Sequence, residues 1–353
     1  MSKRYLVVLP WLIILSMICV SCGRKNSQII RIFIAGSLIE PFYELERVYE
    51  EENPGVDVQV EAHGSIQVIR HVTEIHDLID LVIPADYRLI PMMMYPNLVP
   101  DSGEPYAEYT MEIARNRLVL AYTSRSQYRD EINEDNWYDI LSRKDVKFGL
   151  SDPRFDAAGY RSLMILQLAE RYYKDPTIFE KVYLGSFKDP ITVEKDGGMQ
   201  TILVPELLGI KDGSNIVLRG GSVALLALLE SGDVDYAFEY ESVAQQHHLN
   251  YLQLPPEIDL SNPEFAEWYE TVLVKLDYQR FSTITPEFGG EVITYGLTVP
   301  TNAPNPEAAQ DFIQFLIGPT GREIMDSNFH PMLPSIQVDH REKLPNGLLE
   351  LLP

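Results

Sequence analysis

The sequence predicts an α/β protein of two lobes, each a mainly parallel sheet flanked by helices. Three observations carry that prediction. Residues 29–83 alternate strand-like and helix-like patterns in the order βαβαβ, which implies parallel strands joined by right-handed crossovers. A second alternation of the same kind begins near residue 115. The chain has 353 residues, 45% hydrophobic and 23% charged, enough for about two domains with a sizeable core.

The elements follow in chain order. "IIRIFIA" (29–35) is a β-rich apolar run. Phe42, Leu45, Val48 and Tyr49 then recur at helical spacing until Asn53-Pro54-Gly55 stops the helix. "VDVQVEA" (56–62) alternates like a strand. "GSIQVIRHVTEIHD" places Ile66, Ile69, Val72 and Ile75 on one helical stripe, and "IDLVIPADY" supplies a third strand. "RNRLVLAYTS" (115–124) leaves this unit as a strand. The second unit continues with strand 146–150, helix 159–175, helix 220–233 and strand 234–240. Residues 176–219 are weakly patterned and read as loops with a short hairpin. "EVITYGLTVP" (291–300) is a strand, followed by two helices broken at Gly318-Pro319. The resulting division is 29–115 with 288–353 in one lobe and 116–287 in the other.

The formal net charge of −23 argues against a nucleic-acid partner, because a phosphate backbone calls for clustered Lys and Arg. It otherwise speaks to solubility, not fold. Lys3 and Arg4 precede an apolar run from Leu6 to Val20 and then "VSC", the layout of an export signal over residues 1–21. At 15 residues the run is short for a membrane span. "VSC" resembles a lipobox in which Cys22 receives lipid, with 22–28 as a tether and Cys19 standing where Leu is usual. Both cysteines lie here, so the exported body has no disulfide and no thiolate chemistry. Removing the signal takes the charge from −23 to −25. Two α/β lobes on an exported chain suggest a hinged protein that closes around a ligand between them.

Three strand-to-helix turns could hold that ligand: "AGS" (35–37), "HGS" (63–65) and "SDPRFDAAGYRS" (151–162). Helix N-termini present unpaired N–H groups and partial positive charge, and Gly and Ser allow close approach with a hydroxyl donor. All three turns lie at the carboxyl ends of strands, where open α/β sheets collect ligands. The competing reading is that Ser37 and Ser65 merely cap their helices.

The phrases "AGSLIEPFYELE", "EAHGSIQVIRHVTEI", "DLVIPADYRLIP", "DYAFEYESVAQQH" and "ITYGLTVP", in this order, resemble the molybdate/tungstate-binding proteins of ABC transporters, in the tungstate-type branch found chiefly in archaea. The resemblance covers nearly all of the mature chain. It implies a type II periplasmic-binding-protein fold with the ligand in the interlobe cleft, no catalysis, no cofactor, and delivery of tungstate or molybdate to a membrane permease and its ATPase. It implies a monomer held outside the cytoplasmic membrane by the lipid on Cys22. It also implies that two carboxylates complete a six-coordinate shell around the metal, at Asp156 and Glu239, while Ser37, Ser65 and Tyr240 hold the oxo groups. Ala157-Ala158 departs from the Pro-Cys that usually follows the aspartate.

Carboxylates beside a dianion should repel it, by roughly 4 kcal/mol per unit pair at about 4 Å and an effective dielectric near 20. A d⁰ metal centre is a hard Lewis acid able to take further oxygen ligands, so coordination offsets that repulsion. Sulfate has no such gain and is disfavoured. On strand alternation Asp235, Ala237, Glu239 and Glu241 share one face; Glu239 is read as the inward carboxylate, and Asp235 and Glu241 as solvated charge. His63, His71, His76, His247 and His248 lack metal-site spacing and read as surface histidines. Arg161, at the start of a helix, could touch the anion, but a salt bridge with one of the many acids is the expected reading. The alternatives are a receptor for another oxyanion such as sulfate, one for a divalent metal, and an exported hydrolase using Asp156 and Glu239 as an acid/base pair.

Overall fold

Ile30, Ile32 and Ile34 are fully buried on one face of the first strand, and Phe33 and Ala35 are buried on the other. A strand covered on both faces reads as a continuous apolar run, and it sits at the centre of a parallel sheet. The computed structural model describes residues 28–183, 185–277 and 286–352. In it β1 (Gln28–Ala35) lies between β2 (Val56–His63) and β3 (Leu81–Ile83), parallel to both. Residues 1–21, read from the sequence as an export signal, and Cys22 lie outside the described residues.

The first crossover helix, Ile39–Glu52, buries Phe42, Leu45 and Tyr49 and ends at Asn53, whose N–H and Nδ2 both donate to the Tyr49 carbonyl at 2.9 Å. The second, Ser65–Thr73, buries Ile66, Ile69 and Val72. It stops before Ile75, which is exposed, so the apolar stripe is one turn shorter than the spacing alone indicates.

Two strands adjacent in sequence then part company. β4 (Met111–Arg115) pairs antiparallel with β14 (Thr294–Leu297) and β15 (Met332–Val338), and β14 joins β3 through the Val82–Thr298 bridge. β5 (Leu118–Tyr122) enters a second sheet of order β11-β5-β10-β6-β9, with β6 (Phe148–Ser151), β9 (Ile216–Arg219), β10 (Tyr236–Tyr240) and β11 (Asn250–Leu252). Here β6 lies between parallel neighbours β9 and β10, and β5 follows antiparallel. The two lobes therefore repeat one plan, a parallel trio with an antiparallel strand from a crossover beside it. Their crossovers run together, with Asn116 N–H donating to the Ile293 carbonyl at 3.2 Å.

Residues 176–219 are more ordered than their sequence indicates. They hold a helix, Ile178–Tyr183, the hairpin of β7 (Thr192–Asp196) with β8 (Met199–Val204), and β9. β8 pairs parallel with β12 (Val272–Leu276), which pairs with β13 (Glu287–Gly289). The two closing helices are Pro306–Ile317 and Pro319–Ser327, broken at Gly318 as the sequence predicts. The first of them sets Phe312 against Phe42 and Tyr49.

Candidate functional site

A cavity of about 230 Å³ opens between the lobes at the carboxyl ends of β1, β2 and β10. The first lobe contributes Gly36, Ser37, His63, Gly64 and Ala85, and the second contributes Asp156, Gly221, Ser222 and Tyr240. Its walls are strand-to-helix turns. Gly36–Leu38 is a 3₁₀ turn leading into the Ile39 helix, and Gly64 precedes the Ser65 helix. Asp156 stands at the N-cap of the helix Ala157–Tyr172, which starts two residues earlier than its sequence indicates. Ser222 precedes the helix Val223–Ser231.

Neither predicted serine caps its own helix. Ser37 is buried, with its hydroxyl 2.7 Å from the Tyr295 hydroxyl. Asn116 Nδ2 donates to that same hydroxyl at 3.1 Å and to Ser242 Oγ at 2.8 Å, which ties Ser37 to the crossover. Ser65 is fully buried and its Oγ accepts the Ala85 N–H at 2.9 Å, leaving the hydroxyl proton to donate.

The carboxylates converge from two elements. Asp156 Oδ2 accepts from Ser151 Oγ and from the Ser222 N–H, both at 2.8 Å. Ser222 Oγ in turn donates to Glu239 Oε1 at 3.0 Å, and that oxygen also accepts the Tyr240 N–H at 2.8 Å. Ser222 thus holds both acids at once. Asp156 lines the cavity, whereas Glu239 stands one side chain behind the wall. Its Oε2 makes no hydrogen bond among the described residues. Burial, opposed by the Ser151 and Ser222 donors, raises the Asp156 carboxyl above its usual range. Burial first, and then Asp156, pushes Glu239 up to about 8. Asp152, four residues before Asp156, is spoken for: Arg154 holds it at 2.9 and 2.6 Å.

Three other readings change. Asp235 is not solvated: it is buried and accepts the Gln127 and Lys147 N–H groups at 2.8 and 2.7 Å, a loop anchor. Glu241 pairs with Arg117 at 3.2 Å. His63 is half-buried instead of exposed: it lines the cavity, and its ring lies tilted against His71 with centroids 4.5 Å apart. Burial, and then the His71 ring, lower its pKa. The residues that sequence reasoning missed are Gly221 and Ser222, although "GGS" (220–222) repeats the Gly-Ser signal of "AGS" and "HGS".

The lobes touch across the cavity mouth. Ile66 N–H donates to the Phe155 carbonyl at 3.2 Å, and a Cβ on Gly64 would fall 2.4 Å from that same oxygen. A Cβ on Gly36 would fall 2.8 Å from Val223 Cγ2, a movable methyl. Gly64→Ala should therefore hold the lobes apart and weaken ligand binding about 100-fold, with Gly36→Ala losing about tenfold or less, since backbone cannot yield as a side chain can. Small-angle scattering on the ligand-saturated variants checks this: Gly64→Ala should keep the larger radius of gyration.

Residues 30–329 match the family model described as bacterial extracellular solute-binding protein. The chain belongs to that family. Among relatives of this solute-binding protein, one from Staphylothermus marinus is 43% identical over 317 residues, spanning 88% of this chain and 85% of its own. The molybdate/tungstate-binding protein WtpA of Pyrococcus abyssi is 38% identical over 341 residues, spanning 93% and 92%. Among solved structures, the Azotobacter vinelandii periplasmic molybdate-binding protein matches with a TM-score of 0.52 at 12% identity, over 86% of this chain and 99% of that one. The sulfate-binding protein SubI of Mycobacterium tuberculosis matches with a TM-score of 0.54 at 13% identity, over 86% of each chain. At these identities they establish the fold of this solute-binding protein, the type II periplasmic-binding-protein fold.

Proposed function

We propose that this solute-binding protein captures tungstate or molybdate outside the cytoplasmic membrane and delivers it to an ABC permease driven by its ATPase. In this reading Cys22 carries the lipid that anchors the chain. Ser37, Ser65 and Tyr240 donate to the oxo groups, and Asp156 and Glu239 supply the two extra oxygens that complete six-coordination of the metal. Asp156 bonds the metal from the cavity wall. Glu239 reaches it with Oε2 when its side chain turns out from behind Ser222.

The observation that carries the reading is the pair of buried carboxylates joined through Ser222 at a cavity that helix N-termini and the hydroxyl-bearing Ser37, Ser222 and Tyr240 also line. Helix N-termini favour an anion, and acids beside them would repel it unless they bond to its central atom. A cavity of about 230 Å³ matches a small solute. The relative named molybdate/tungstate-binding protein, 38% identical to this chain, supports the same ligand class.

Titration calorimetry with tungstate, molybdate, sulfate and zinc in parallel tests the proposal. One tungstate or molybdate per chain, with sulfate at least about 100-fold weaker, is the expected pattern. Sulfate bound as tightly as tungstate, or zinc bound in its place, contradicts it.

A further inference from the structure

We propose that Arg161 is the counter-charge of the bound oxyanion, acting through the Tyr240 hydroxyl as a positioning residue for the ligand. The inference rests on the oxyanion reading above.

Arg161 lies in the first turns of the helix Ala157–Tyr172 and is 2% exposed. A buried guanidinium is costly unless it is paired and its donors are used. The pairing here is incomplete. The nearest acid oxygen, Asp86 Oδ2, is 3.6 Å away, and Nη2 makes no hydrogen bond. Asp86 is already engaged, by the Tyr160 hydroxyl at 2.6 Å and by Arg88 through its N–H at 3.1 Å and Nη2 at 3.4 Å. Arg88 also touches Glu291. Burial works against the Asp86 charge, but Arg88 and Arg161 hold its carboxyl down at about 2. Glu291 is pushed up to about 8 by burial and by Asp86. Asp86 is thus shared between two guanidiniums, and Arg161 is left without an acid oxygen within hydrogen-bond distance.

Arg161 sits directly behind the cavity wall. Arg161 Nη1 donates to the Ala85 carbonyl at 2.9 Å and to the Tyr240 hydroxyl at 2.8 Å, and both residues line the cavity. With its oxygen occupied by Arg161, the Tyr240 hydroxyl keeps a proton that has no acceptor among the described residues. A hydroxyl that accepts from a cation is a stronger donor. Asp156, Glu239 and a dianion would gather negative charge in one small volume, and Arg161 is the buried cation placed to offset it.

The test is titration with tungstate of the wild type, Arg161→Lys, Arg161→Met, Tyr240→Phe and the double variant Arg161→Met/Tyr240→Phe, with melting temperatures of each without ligand. The expected losses are about 100-fold for Arg161→Met and about tenfold for Arg161→Lys and for Tyr240→Phe. The double variant should be no more than about threefold weaker than Arg161→Met alone, because both changes cut one relay. A purely structural Arg161 predicts Lys and Met variants that are equally weak and a Tyr240→Phe loss that adds in full; that result overturns the inference. Should Arg161→Met fail to fold, Tyr240→Phe decides, since it leaves Arg161 and Asp86 in place: binding within about threefold of wild type overturns the inference. A wild type that binds no tungstate removes the oxyanion reading, and this inference with it. A wild type that binds while the variants bind equally well removes this inference alone.

Discussion

Asp156→Asn is expected to weaken tungstate binding about 1,000-fold, some 4 kcal/mol, while leaving the ligand-free protein at least as stable as wild type. The two effects come from one feature. The carboxyl is buried at the cavity wall, and burial raises its pKa, so its ionised form is held at a cost in the folded state. An amide keeps an oxygen to accept from Ser151 and from the Ser222 N–H, so the turn keeps both hydrogen bonds. What it lacks is a charged oxygen for the metal. Calorimetry and thermal melting on the same sample read both quantities. Weak binding with a lowered melting temperature would show that Asp156 serves the fold and not the ligand.

Glu239→Gln separates function from stability still further. The folded-state pKa of about 8 lies above the unfolded value of about 4.5, so burial favours the neutral acid. Stability that is present below pH 4.5 is therefore lost as pH rises through 8, by up to about 5 kcal/mol. The wild type should melt progressively lower between pH 5 and 9, and Glu239→Gln should lack that component. Binding runs the other way. Ligation needs the carboxylate, so below pH 8 tungstate must displace a proton from Glu239, and affinity should rise with pH up to that value. Calorimetry at pH 6.5 in two buffers of different ionisation enthalpy should show close to one proton released. Glu239→Gln should lose that proton and about 100-fold in affinity, whereas Glu241→Gln, whose carboxylate pairs with Arg117, should stay within about threefold. Equal losses in the two variants would mean that the inward acid is not the ligand.

The family resemblance is what singles out Asp156 and Glu239, and each also stands at a local signal. Asp156 precedes a helix after a buried strand, and Glu239 lies near the end of an apolar strand between aromatics. The central parallel strands were legible for the same reason, since β1 is apolar on both faces. What escaped depends on partners distant in sequence. β7 is largely exposed and shows no clean alternation, and β8 gains its parallel neighbour from β12, some 70 residues further on. Asp235 looks like solvated charge until the Gln127 and Lys147 amides close on it. Arg161 finds Asp86 and Ala85 across the lobe boundary, so nothing near it in the chain shows that it is buried behind the cavity. Ser222 is the exception: "GGS" (220–222) carries the same local Gly-Ser signal as "AGS" and "HGS".

Tungsten L3-edge X-ray absorption on the protein saturated with tungstate reads the metal's oxygen shell directly. Two protein oxygens in that shell predict six W–O bonds, four short and two longer, reverting toward four in Asp156→Asn. A regular shell of four equal oxygens in the wild type, unchanged by either carboxylate substitution, would contradict it.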